Sequence, residues 1–244
     1  MINPLLLQTN RDIPFVLGLC SIHNPRISEI ALIGEENFQI GSRFLYFKKN
    51  DYDFEDKTDL NDKSDFEILI EIMNSKEYSN FTQKAIMVLT LLFPSFEITI
   101  ERRRIKLTRP DGTVTRIDDR NYDEFKEIIK EIFILESNEE GASFKPANGL
   151  AQRIAEKLER GRRKVSKQKG EQLVEKSIYG RMVSVLSVGL QKDKNTLMEY
   201  TVYQLLDEYK RFQLKLAFDR NIQARLAGAS DLDDPEDWLD YLLL

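Results

Sequence analysis

The chain has 244 residues, 41% of them hydrophobic and 32% charged, with a formal net charge of −5, which reads as a soluble globular protein long enough for one large domain or two modest ones. A single cysteine, Cys20, excludes an internal disulfide and points to a reducing compartment; it sits in an apolar run and reads as a small buried hydrophobe. A single histidine, His23, excludes a histidine-rich metal site and most acid–base designs centred on imidazole, and is expected as a loop or core residue.

The N-terminus, MINPLLLQTN, lacks the basic segment of a signal peptide. The longest apolar run, 85–93, is less than half of a membrane span, so a cytoplasmic protein without membrane contact is expected. Residues 13–20 predict one short strand, with Pro14 near its start where a missing donor does least harm. After Pro25, Ser28 is placed to cap a short helix over 28–38 with Ile30, Ile33 and Phe38 facing inward. Residues 44–47 form another apolar patch. Residues 51–67 hold eight carboxylates against two lysines and predict a solvated loop. Carboxylates at 51, 53, 55 and 56 resemble the start of a calcium loop, but the glycine at its sixth position and the glutamate at its twelfth are missing.

Ser64 and Glu67 make a capping box that opens a helix carrying Phe66, Leu69, Ile70 and Met73. A second helix from about residue 80, apolar on nearly every face, is expected to be the centre of the first domain and to end at Pro94. Period-two alternation over 96–117, with Pro110-Asp111-Gly112-Thr113 as turn chemistry, predicts a hairpin whose Arg102, Arg103, Arg104 and Arg109 line a solvated face. Asn121 and Glu124 read as a second capping box, and Phe125, Ile128, Ile129, Ile132 and Phe133 as a core stripe.

Periodicity fades over 136–148. This predicts an α+β domain at 1–136, a linker at 137–146 and an all-α helical domain at 147–244. Leu150, Ile154 and Leu158 begin a helix that runs into a basic block, with eight basic residues against two acidic over 151–170. No aromatic residue lies between Phe144 and Tyr179, so base stacking is lacking, and the block reads as a solvated helix answered by the acidic C-terminus. The next helix places Ile178, Met182, Val185 and Gly189 along one side, with Gly189 near its end. A long helix over 196–228 is expected to return against it. Met198, Val202, Leu205, Tyr209, Phe212 and Leu216 follow one stripe, and the register then meets Asp219 and Gln223. Asp234 is placed to cap a terminal helix with Trp238, Tyr241 and Leu242 on one face.

Phosphate-binding glycine patterns are absent, and no residue constellation announces a reaction, so neither an enzyme nor a cofactor is expected. The seam of the long helix is a core seam by default, and part of it suits a partner's groove. The expected contact lies where the seam turns polar, at Asp219, Arg220, Gln223 and Arg225, with Trp238 and Leu242 as an anchor of the kind that dominates interfaces.

The strings SEIALIGEENF, SDFEIL followed by MVLTLLFP, PAN after the linker, and above all YTVYQLLDEYKRFQLKLAFDRNIQARLAGASDL resemble a family of tail assembly chaperones from tailed phages of Gram-positive hosts. That resemblance covers most of the chain. It implies a non-enzymatic protein in the cytoplasm of the infected host, which holds the helical tape-measure protein, with the tail tube protein as a further partner, until the tube polymerises around it. Such families often make a longer product by ribosomal frameshifting. Two other classes remain: a regulator that binds a host protein or nucleic acid through 151–170, and a minor structural component of the virion. The acidic C-terminus argues against DNA contact.

Overall fold

The computed structural model describes residues 2–16, 20–49, 63–134 and 177–228. Chain order is α1 (Pro4–Leu7), β1 (Ile13–Phe15), β2 (Cys20–Ile22), α2 (Ile27–Ile33), α3 (Glu35–Leu45), α4 (Asp65–Asn74), α5 (Ser79–Leu92), β3 (Glu97–Glu101), β4 (Arg104–Thr108), β5 (Val114–Ile117), α6 (Tyr122–Phe133), α7 (Ile178–Leu190), α8 (Lys194–Met198) and α9 (Val202–Leu226). Among the described residues, an α+β N-terminal part is thus followed by helices alone. The linker at 137–146 and the basic block at 151–170 lie outside the described residues, as do Asp51 to Asp62 of the calcium-like segment.

The apolar run over 13–20 forms two strands and not one. β1 and β2 pair antiparallel, with Ile13 opposite Ile22 and Phe15 opposite Cys20, and Val16 takes φ +52° where β1 ends. Apolar content alone does not distinguish one strand from two folded together; the backbone turn at Val16 does. Cys20 is buried as expected, and that burial pushes its thiol up to about 11.

The helix expected over 28–38 is likewise divided. Gly34, at φ +86°, ends α2 and starts α3, a conformation that glycine adopts without a Cβ penalty. α2 begins one residue earlier than Ser28, at Ile27, where the Glu29 carboxylate accepts from the Arg26 amide at 2.7 Å. At α4 the Ser64–Glu67 capping box forms as read: Glu67 N donates to Ser64 Oγ at 3.2 Å, and Ser64 N to the Glu67 carboxylate at 3.0 Å.

α3 and α5 lie close because Gly41 has no side chain. A Cβ there would sit 2.4 Å from the Lys84 carbonyl oxygen. Ala85, Val88, Leu89 and Leu92 supply the buried face of α5. The region read as a hairpin is a three-stranded antiparallel meander, β3-β4-β5. The expected turn around Asp111 joins β4 to β5, while Arg102 and Arg103 form a second turn that carried no glycine or proline to announce it. Ile105, Leu107 and Ile117 face inward and are fully buried. Outside, Arg104 meets Glu101 at 2.5 Å, and Arg109 lies over the Phe96 ring at 5.0 Å.

α6 crosses this core with Phe125, Ile128, Ile129, Ile132 and Phe133 buried, the stripe the sequence shows. Its expected capping box does not form. The Asn121 side chain turns the other way: its Oδ1 accepts from Asp118 N at 2.9 Å and its Nδ2 donates to Arg116 O at 2.9 Å. Phe15, Phe93 and Phe125 meet ring to ring at 6.0–6.4 Å, and Tyr122 extends the cluster to Phe66 at 5.0 Å. Lys126 is nearly buried on the same helix, yet its ammonium holds Asp65 at 2.9 Å and Asp123 at 3.0 Å. Burial alone would lower the Lys126 pKa; the two carboxylates outweigh it and raise it.

Candidate partner-binding surface

The C-terminal helices attach through their first turns. Glu35 of α3 serves the start of α7: one carboxylate oxygen accepts from Ile178 N at 2.8 Å and the other from the Ser177 hydroxyl, while that hydroxyl also caps Gly180 N at 2.7 Å. On α7 the buried residues are Val183 and Leu186, and Tyr179 meets Phe38 at 6.3 Å. Gly189 faces Phe212 of α9 so closely that a Cβ would lie 2.2 Å from the ring. The side expected to hold Ile178, Met182, Val185 and Gly189 is therefore split. Gly189 packs, whereas Ile178 and Val185 point outward with Val188, which is 82% exposed. With Arg181 they fall at three- and four-residue steps, so the three apolar side chains make an outward stripe.

The helix expected over 196–228 is interrupted. α8 ends at Met198, and α9 starts at Val202 after Thr201, whose hydroxyl accepts from Gln204 N at 3.3 Å while the Gln204 side chain accepts from Thr201 N at 2.9 Å. That capping box, Thr201-x-x-Gln204, stands in the sequence inside a regular stripe that runs through it, so periodicity alone does not show the break. The break is also the attachment point: Ile27 N donates to Tyr200 O at 2.9 Å, Arg26 pairs with Glu199 at 2.6 Å, and Gln204 Nε2 donates to Gln8 O at 2.7 Å.

His23 stands beside this junction, between two carboxylates. Nδ1 is 2.9 Å from Asp12 and Nε2 is 3.0 Å from Glu29, the residue that caps α2. Two acceptors on two ring nitrogens are both satisfied by the imidazolium only. Burial pulls the His23 pKa down, and the hydrogen bonds to Asp12 and Glu29 overcome this and raise it. Sequence reading missed the arrangement, because its carboxylates are six and eleven residues away.

Along α9, Val202 and Leu205 are buried, Tyr209 and Phe212 half-buried, and Leu216 is exposed. The helix is about 37 Å long at 1.5 Å per residue, so most of it extends past its packed base. The expected contact residues lie on this length. Asp219 takes Lys215 at 2.6 Å and Arg225 donates to Asn221 at 2.9 Å, each pair one helical turn apart. Arg220 and Gln223 are exposed. Trp238 and Leu242 lie outside the described residues.

Among the described residues no three His, Cys, Asp or Glu side chains group as a metal site would require, and no helix is long and apolar enough to cross a membrane. A family model described as YomV second domain matches residues 180–242, about a quarter of the chain. That family derives from Bacillus phage, and the matched stretch contains most of α7, all of α8 and α9, and the positions of Trp238 and Leu242. No curated protein and no solved structure matches the chain.

Proposed function

We propose that the chain is a non-enzymatic phage tail assembly chaperone whose C-terminal helices hold the tape-measure protein in the host cytoplasm before the tail tube forms. The observation that carries this reading is the outward apolar stripe of Ile178, Val185 and Val188, set beside a long helix packed only along its first half. Val185, Val188 and the whole of α9 lie in the stretch similar to a phage-derived domain family. An amphipathic helical client suits such a surface, because its own apolar face covers the stripe while the polar end of α9 supplies the rim. Asp219, Arg220, Gln223 and Arg225 are the rim residues in this reading, with Trp238 and Leu242 as anchors.

The test is co-expression with a tape-measure protein from the same phage, followed by co-purification. The pair is expected to purify together, and Val188→Glu, Arg225→Glu and Trp238→Ala each to weaken the association without changing the circular dichroism. Recovery of the protein from purified virions would favour a structural component. Salt-sensitive retention on DNA or RNA, lost when the arginines and lysines of 151–170 are neutralised, would favour a regulator.

A further inference from the structure

Away from the C-terminal helices, a groove of about 740 Å³ runs between the N-terminal segment and α6. Ile2, Leu6, Pro14 and Ile128 give it an apolar floor. Its wall is a single stripe of α6, Glu124, Glu127 and Glu131, spread over about 10 Å of helix. No hydrogen-bond donor or cation among the described residues answers any of the three. Their neighbour Asp123 is held by Lys126 at 3.0 Å. Carboxylates on other helices are also answered: Glu71 by Lys63 at 2.8 Å, Asp207 by Arg211 at 2.9 Å and Glu208 by Lys192 at 3.1 Å. A helix N-terminus favours negative charge in its first turn, which accounts for Glu124 but not for Glu127 or Glu131. Like charges at this spacing oppose one another along the helix, and here they do so beside uncovered apolar surface.

We propose that this groove docks a basic amphipathic helix of a partner polypeptide. The partner's apolar stripe lies on the floor, and a row of Lys or Arg at helical period meets Glu124, Glu127 and Glu131. Only a helical ligand repeats its charges at the spacing of the wall while keeping an apolar face turned to the floor. Burying that floor supplies affinity, and the carboxylate row supplies encounter rate, orientation and salt dependence. This inference does not depend on the tail-assembly reading, since it uses neither the C-terminal helices nor their match.

The test titrates the full-length protein into a fluorescent helical peptide of leucine and lysine patterned at helical period. Saturable binding is expected at low salt. It should weaken by about tenfold or more in Glu124→Gln/Glu127→Gln/Glu131→Gln and fall as salt is raised. Glu131→Lys, a single change at an exposed position, should shift binding in the same direction and serves if the triple variant does not fold. Absence of saturable binding, or equal binding by the folded variants, overturns the proposal. So does equal binding of an oligolysine of the same charge, which would leave charge without a groove. Tighter peptide binding by Arg162→Gln/Arg163→Gln/Lys164→Gln would assign the groove to the chain's own basic block and overturn the partner as its occupant.

Discussion

α6 and α9 carry equally legible helical stripes and use them differently. α6 buries seven of its twelve residues, whereas α9 buries two of twenty-five. α6 is covered because β1, α3 and α9 all pack on it; α9 meets α6 and α7 along its first half alone, where Val202 and Leu205 join the core and Leu206, Tyr209 and Phe212 pack against it. Periodicity therefore reports which face of a helix is apolar, and the amount of surrounding protein decides how much of that face is used.

The sharpest test of this contrast is large-to-small substitution at both ends of it. Phe125→Ala removes a fully buried ring in contact with Phe15, Phe93 and Tyr122 and is expected to cost about 3–5 kcal/mol in urea unfolding. Leu205→Ala, at the packed base of α9, is expected to cost about 2–5 kcal/mol. An unchanged transition for Leu205→Ala would detach α9 from the core and extend the contrast to its base.

Two glycines compare the same regions by addition of a methyl group. At Gly41 the nearest obstacle is backbone, the Lys84 carbonyl, and at Gly189 it is the far end of the Phe212 side chain. Both alanine variants are expected to lose stability by about 1–3 kcal/mol, with Gly41→Ala the worse because the Phe212 ring is able to swing away and a helix backbone is not. Equal losses in thermal unfolding would show Phe212 to be as firmly held as the α3–α5 contact.

Between the two regions sits His23, and pH is the lever on it. Its pKa is raised on folding, so the stability it contributes is fully present below the unfolded value of 6.5 and is lost as pH rises through the higher folded value. The parent's urea midpoint is expected to fall across that range relative to His23→Gln. Because this is the chain's single histidine, proton NMR reads its titration without overlap. A folded pKa at or below 6.5 would contradict the double carboxylate contact. The smallest effect is expected at the outer part of α9: Leu216→Ala should stay within about 0.5 kcal/mol, as exposed changes do. A larger loss would mean that this turn is packed.

Local chemistry was legible wherever a few neighbouring residues decide the structure. Ser64 and Glu67 cap α4 as their spacing says, and the Asp111 turn joins two strands. Asn121 and Glu124 show the limit of such patterns, since the same side chain had a competing partner in Asp118 and Arg116, brought near by the end of β5. Of the expected contact residues, Asp219 and Arg225 were legible as polar positions on a helix. That each meets a side chain one turn away required the structure.

Composition and periodicity were sufficient for the α+β part, the helical part after it, the core stripe of α6 and the burial of Cys20, because these depend on side-chain type at short separation. Tertiary structure alone decided that Val188 and Val185 face outward while Gly189 packs, that Arg26 and Ile27 hold the break before α9, and that Asp12 and Glu29 close on His23. The physical reason is distance along the chain. A stripe is a property of one helix, but its covering is supplied by residues remote in sequence, and their arrival follows from how the whole core packs.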